Sequence, residues 1–112
     1  MHKLMVIFRT PTDVPVFENR WSEEFVPRAE RMPGLRRVIL SRVMGGPAGN
    51  ADIHLVHEFI FDDADAVQAA MVSPEGQAAG RALMGFAAPY VSLCFAEHLE
   101  EGRPLPDPGA PA

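Results

Sequence analysis

The fold is decided by one stretch of the chain, residues 36–61, whose sequence is RRVILSRVMGGPAGNADIHLVHEFIF. Residues 36–43 are typical of a half-buried strand, because an extended chain sorts their side chains onto two sides. Val38 and Leu40 are on one side, and Arg37, Ile39, Ser41 and Val43 are on the other. Residues 53–61 form a second strand-like run, and the GGPAGN segment at residues 45–50 between them suits a loose turn. The stretch therefore predicts two neighbouring antiparallel strands.

Before this stretch, an apolar run at residues 4–8 predicts a central strand covered on both faces. Asp13 can then cap a helix, whose apolar residues recur every four positions and so form one stripe. Pro27 lies inside this pattern and predicts that the helix bends or ends there. The stripe consists of Phe17, Trp21, Phe25 and Ala29.

After the stretch, three aspartates within residues 62–65 favour the start of a second helix, which residues 73–76 interrupt and restart. Residues 90–99 predict a last strand. The resulting order, β-α-β-β-α-β, is that of a ferredoxin-like α+β domain. We expect a four-stranded antiparallel sheet with both helices on one face.

The other face of this sheet is predicted to be apolar as well, because neighbours in a strand point to opposite sides. Ile39, Val56 and Ile60 cannot all reach the helices, and an apolar face exposed to water usually marks an interface. We therefore expect a homodimer built through the sheet face, with a barrel-like space between the two sheets.

Composition narrows the class of protein. The 112 residues are 47% hydrophobic, which suits one folded domain over residues 1–101, followed by a Pro-rich tail at 102–112 that we expect to be disordered. The net charge of -5 and the dispersed Lys and Arg residues argue against a nucleic-acid partner. No apolar run is long enough to span a membrane, and the single cysteine and absent signal segment suggest the cytoplasm.

Glu58 is the first candidate for chemistry. If Phe59 and Phe61 face the helices, Glu58 and His54 point into the dimer interior, where an apolar cavity would raise the pKa of the carboxyl group and suit it to proton transfer. Alternatively, Arg37 lies opposite Glu58 and holds it ionised in a structural ion pair. No metal is expected, because His54 and His57 should point to opposite faces of the strand.

Further residues are candidates for contact with a small apolar organic molecule. Trp21 and Phe25 could wall such a site from the first helix, and Tyr90 and His98 flank the last strand at possible cavity mouths. The complete set of predicted ligand contacts is Trp21, Phe25, Arg37, Ile39, Val56, Ile60, Tyr90 and His98.

Several segments together resemble the EthD-like family of the dimeric α+β barrel superfamily, over about residues 3 to 100. They are KLMVIFR at 3–9, Trp21, PGLRR at 33–37, EFIFDD at 58–63, SPEG at 73–76 and Glu97-His98. The resemblance implies a ferredoxin-like homodimer with an apolar cavity. Similar proteins act without a cofactor as cyclases, dehydratases, decarboxylases or oxygenases on small organic molecules. The resemblance to this superfamily also allows haem binding by His98 or His54, although no sequence feature selects it. No cofactor is expected.

One departure from the family pattern divides two hypotheses. Many similar sequences carry a His two positions before the helix proline, where this chain has Phe25. The first hypothesis is a cofactor-independent enzyme, of isomerase, cyclase, dehydratase or oxygenase type, in which Glu58 or His54 moves a proton. The second is a non-catalytic homodimer that binds or sequesters a small hydrophobic ligand. Phe25 favours the second, and the polar pair on an apolar face favours the first.

Overall fold

The computed structural model describes residues 1–102 and confirms the predicted order of elements. The strands are β1 (His2–Arg9), β2 (Arg37–Arg42), β3 (Ile53–Phe61) and β4 (Val91–Glu97). The helical segments are α1 (Val14–Arg20), a π-helical segment (Trp21–Phe25), α2 (Val26–Ala29), α3 (Ala64–Val72) and α4 (Pro74–Ala87). The tail predicted for residues 102–112 lies, apart from Gly102, outside the described residues.

The four strands form one antiparallel sheet in the order β2-β3-β1-β4, with the helices on one face. The core lies between the helices and the two central strands, where Phe8 and Phe59 are fully buried. The helices do not fully cover the edge strands, since Leu40 on β2 and Phe95 on β4 face the helix side yet stay exposed.

The first helix accommodates Pro27 by widening just before it. Asp13 begins α1 by accepting a hydrogen bond from the Val16 amide at 3.1 Å. The backbone N–H of Val26 then donates to the carbonyl of Trp21, five residues back, which defines the π turn. The helix therefore continues past the predicted bend, and Trp21 and Phe25 at the two ends of this segment are both buried.

The open face of the sheet is the one opposite the helices. Its residues on β3 are Val56, Glu58 and Ile60, and strand pairing places Ile39 of β2 and Met5 of β1 on either side of Glu58. Alternation along the strands thus assigns the apolar residues Ile39, Val56 and Ile60 to this face, as the sequence predicts.

Ser73 joins the last two helices very tightly. It ends α3 and also begins α4, because its hydroxyl accepts a hydrogen bond from the Gly76 amide at 3.0 Å. The backbone of α4 comes so close to α3 here that a Cβ atom on Gly76 would lie 2.0 Å from the carbonyl oxygen of Ala70. Only glycine fits this junction without a shift of backbone.

We predict that Gly76→Ala lowers the free energy of unfolding by about 2 kcal/mol or more, because the new methyl group forces the two helices apart. Gly80→Ala is the matched control in the same helix, where nothing lies within 4 Å of an added Cβ. It should instead raise stability by about 0.5–1 kcal/mol. Urea unfolding of both variants measures the difference, and equal effects would contradict the account.

Candidate functional site

Glu58 forms an ion pair on the open sheet face, but its partner is Lys3. The Lys3 Nζ lies 2.5 Å from Glu58 Oε1, and the two side chains are only 16% and 12% exposed. The expected Arg37–Glu58 pair is wrong, because Arg37 pairs with Ile60 in the strand register and Ile39 lies opposite Glu58. The hairpin register is two residues away from the expected one. Every side chain therefore keeps its face but changes its neighbour.

Arg37 instead makes a contact across the end of the sheet. Its Nη1 lies 2.8 Å from Glu100 Oε1, and His98 Nε2 lies 3.0 Å from the same oxygen. The hydrogen bond from His98 and the charge of Arg37 lower the pKa of the Glu100 carboxyl group. Since Arg37 is on one edge strand and Glu100 follows the other, the contact crosses the open face over Ile60, which is fully buried. His98 Nδ1 is buried and has no hydrogen-bond partner among residues 1–102.

His54 lies on the helix side of the sheet, so its predicted position on the open face is wrong. The pairing of β1 with β3 shifts between Phe8 and Arg9, which pair with Leu55 and Ile53. His54 is therefore an extra residue in β3, a β-bulge that breaks strict alternation. Its Nε2 lies 2.9 Å from Glu18 Oε1, and its ring packs edge-on against Phe17 at 5.6 Å.

Glu18 is the centre of a polar cluster on this side. Arg42 from β2 holds both of its carboxylate oxygens, and His54 shares Oε1. The hydrogen bond from Arg42, with that from His54, lowers the pKa of Glu18, although partial burial opposes this. The Arg42 guanidinium also lies 5.6 Å from the centre of the Trp21 ring. The carboxylate is thus ionised and fixed in place beside the imidazole.

His57 is buried in the aromatic core below this cluster. Trp21 Nε1 donates to His57 Nδ1 at 3.3 Å, so the ring carries its proton on Nε2. Phe25 and Phe59 pack against the imidazole at 5.9 and 4.3 Å. Burial lowers the pKa of His57 to about 4, which keeps the ring neutral near pH 7.

The bulge brings both β3 histidines to the helix side, in contrast to the expectation of opposite faces. They are held by different partners, His54 by Glu18 and His57 by Trp21. Within residues 1–102, no three His, Cys, Asp or Glu side chains come together as a metal site would require.

A cleft of about 270 Å³ opens beside His54, where the loop between β2 and β3 meets the end of β1. It contains both apolar and polar lining groups. The lining residues are Thr10, Val43, Met44, Gly45, Asn50, Ala51, Ile53 and His54.

A second cavity is a narrow slot between the sheet and α4. Its volume is about 40 Å³, and all its lining residues are apolar. Phe25, one of the predicted ligand contacts, lines this slot, whereas Trp21 does not. The lining residues are Leu4, Val6, Phe25, Met32, Met71, Gly76, Ala79, Gly80, Leu83 and Leu93.

The structure therefore separates the predicted site residues. His54 lies on the helix side of the sheet. The predicted site residues that belong to the open face are Arg37, Ile39, Val56, Glu58, Ile60 and His98. Tyr90 immediately precedes β4 and lies near the start of α1, where its hydroxyl is 3.0 Å from Thr12 Oγ1.

Sequence reasoning missed Lys3, Glu18 and Arg42. Glu18 is one of many charged residues between the apolar positions of the first helix, and nothing in the sequence marks it. The bulge that brings His54 to Glu18 has no local signal, because no glycine or proline is adjacent to His54.

Comparison with known proteins points to one family. The model of the EthD domain matches residues 9–89. An ethyl tert-butyl ether d (EthD) family protein from Bacillus halodurans C-125 is 31% identical, with a TM-score of 0.86 over 88% of this chain and 99% of its own.

Two more distant structures share the fold. SnoaB, a cofactor-independent oxygenase from Streptomyces nogalater, is 18% identical with a TM-score of 0.64 over 89% of this chain and 94% of its own. A dimeric ferredoxin-like protein of unknown function from Jannaschia sp. CCS1 is 18% identical, with a TM-score of 0.64 over 88% and 100%. No helix within residues 1–102 could cross a membrane.

We predict that burial of neutral His57 makes the fold lose stability in acid. As the pH falls from 6.5 to about 4, His57 takes up a proton in the unfolded chain but not in the folded one. The unfolded state binds more protons, so the free energy of unfolding falls by roughly 3 kcal/mol across this window. Thermal unfolding from pH 7 to 4.5 should show the loss, and His57→Gln should flatten it. An equally steep decline in the variant would assign the effect to other groups.

Proposed function

The chain belongs to the EthD domain family, and on that premise we propose that it is a homodimeric, cofactor-independent enzyme that transfers a proton on a small apolar carbonyl compound. The observation that carries this proposal is the 2.9 Å contact between Glu18 and His54 at the cleft beside the β2–β3 loop. A positioned imidazole with a carboxylate partner is a common arrangement for general acid–base catalysis.

The contact determines which nitrogen of His54 is available. Because Glu18 is ionised, His54 Nε2 must carry the hydrogen that lies between them. Nδ1 then keeps its lone pair, and it has no hydrogen-bond partner among the described residues. His54 is in this way prepared to accept a proton at Nδ1, while Glu18 balances the positive charge that forms on the ring.

The reaction that fits is an isomerisation through an enolate. His54 Nδ1 removes a proton from the carbon between the carbonyl group and the double bond of a β,γ-unsaturated carbonyl compound. The C–H electron pair becomes a new C=C bond, and the π pair of the carbonyl group moves to its oxygen, which gives a dienolate. The imidazolium then returns the same proton to the γ carbon, the carbonyl group re-forms, and the double bond is left in conjugation with it. No electron leaves the substrate, so the step needs no oxidant or cofactor. Met44 and Ile53 in the lining suit an apolar substrate body.

Homodimerisation through the open face is the second part of the proposal. Ile39 and Val56 are half-buried on this face in a single chain, and a second copy would cover them. The Lys3–Glu58 pair would then be enclosed with its charges matched, which limits the cost of burying them. The dimeric ferredoxin-like protein from Jannaschia supports this arrangement by its fold.

Ligand binding without turnover is the second candidate function. The slot between the sheet and α4 favours it, because its lining contains no group able to move a proton. At about 40 Å³ the slot holds little more than a few water molecules, so a ligand would enter only if α4 moved away from β4. Phe25 in its lining adds apolar surface but no chemistry.

We predict that the protein accelerates exchange of the α-hydrogens of 2-indanone, an apolar ketone, when incubated in D2O. Mass spectrometry should show deuterium uptake above that in buffer with matched imidazole. His54→Gln should lower the rate about 100-fold or more, because it removes the base. Glu18→Gln should lower it less, since the ring remains but loses its orientation.

The control for this experiment is His2→Gln, which changes a histidine on β1 outside the cleft. Circular dichroism would verify that each variant folds. Exchange that persists in His54→Gln, or no exchange by the wild type, would contradict the enzymatic proposal. If the wild type shows no exchange, saturable binding of the neutral fluorophore N-phenyl-1-naphthylamine would support ligand binding without turnover.

We predict a sedimentation mass of about twice the 12.3 kDa of one chain at micromolar concentration. Ile39→Glu should shift the protein to monomer, because it places a charge in the apolar interface. Leu40→Glu, one residue away on the helix side of the same strand, should leave the dimer intact. A monomeric wild type, or equal dissociation by both variants, would exclude the sheet-face dimer.

A further inference from the structure

A third concave site lies between the start of α1, the end of α4 and the residue before β4. Its volume is about 170 Å³, which suits one aromatic ring with small substituents better than a drug-sized molecule. It is separate from the cleft at His54, because Phe17 packs against both His54 and Phe86. The lining residues are Pro11, Thr12, Asp13, Val16, Phe17, Arg20, Phe86 and Tyr90.

The apolar part of this site is aromatic. The rings of Phe17 and Phe86 lie 5.8 Å apart at an angle of 54°, and Tyr90 adds a third ring. Aromatic walls at such angles favour edge-to-face and stacked contacts with another ring. An aromatic ligand therefore gains more binding free energy here than an aliphatic ligand of equal size.

The site also holds a cation whose position is determined by the fold. Arg20 Nε donates to Glu24 Oε2 at 2.6 Å, and the guanidinium carbon lies 5.5 Å from the centre of the Phe86 ring. Neither Nη group of Arg20 donates to another residue within 1–102. The two Nη groups together carry four N–H hydrogens that face no acceptor among the described residues, and paired guanidinium N–H groups of this kind are what a carboxylate binds.

A pair of hydroxyl groups completes the site. Tyr90 and Thr12 share one hydrogen bond at 3.0 Å, which uses only one of their two O–H hydrogens. The other remains available to a ligand oxygen. Asp13 is the one carboxylate in the lining, and its Oδ1 already accepts from the Val16 amide as the cap of α1. Its charge disfavours anions, so the affinity expected here is modest.

We propose that this site, defined by Arg20, Phe86 and Tyr90, binds a small hydroxylated aromatic carboxylate of the hydroxybenzoate class. The ring lies against Phe86 and Phe17, the carboxylate accepts hydrogen bonds from Arg20, and the phenolic group meets the Tyr90–Thr12 pair. This assignment does not depend on the proposed reaction at His54, and a protein without that activity would still bind the ligand.

The test is an amide NMR titration of the dimer or monomer as purified, with 4-hydroxybenzoate as the probe. Saturable shifts should appear at the amides of Thr12, Gly85, Phe86 and Tyr90. Arg20→Gln should weaken binding by about tenfold or more. Tyr90→Phe should weaken the binding of 4-hydroxybenzoate but not that of benzoate. Arg36→Gln, which removes an exposed arginine paired with Asp62, is the matched control and should change nothing.

Ligand analogues make the test independent of whether the variants fold. The neutral 4-hydroxybenzamide should bind about tenfold more weakly than the acid, because it lacks the charge that Arg20 recognises. Acetate, which has the charge but no ring, should produce no saturable shift at Phe86. Equal binding of acid and amide, equal binding of acetate, or no saturable shift at these amides would each overturn the proposal.

Discussion

The rest of the structure depends on the alternation of side chains along β3. This central strand sends Leu55, His57, Phe59 and Phe61 to the helices, and Val56, Glu58 and Ile60 to the open face. Outside the bulge at His54, successive side chains of an extended chain point to opposite faces, so a single strand supplies both the domain core and the surface that we propose for dimerisation. The aromatic residues of the first helix then pack against the β3 side chains that face the helices.

The core carries a polar pair at its centre. Burying an indole N–H or an imidazole nitrogen without a partner costs free energy, and Trp21 and His57 satisfy this requirement for each other. The aromatic rings of Phe25 and Phe59 exclude water from the imidazole and hold it neutral. The π turn before Pro27 supports this packing, because it spans the segment from Trp21 to Phe25.

The sequence predicted the order of elements, the ends of β3 and the division of residues such as Ile39 and Phe59 between two faces, because these follow from periodicity. It did not predict which side chains contact each other. Arg37 pairs with Glu100 instead of Glu58, because hairpin register depends on the geometry of a loose loop. His54 changed face, because a bulge inserts one residue without a sequence signal. The same contrast holds for the candidate site. The sheet face of Glu58 follows from periodicity and was predicted correctly, whereas the Glu18–His54 contact depends on the bulge and was not predicted.

The loop between β2 and β3 has a consequence for how such chains can change during evolution. The observed register differs from the simplest one by two residues, yet each side chain keeps its face. A slip of two residues in this pairing is therefore compatible with the same core and the same outer surface. A slip of one residue would exchange the two faces, unless a bulge like that at His54 absorbed it. The length of the loop itself is free to change in such chains, because inserted residues can extend the loop at residues 43–52 while the same strand residues stay paired.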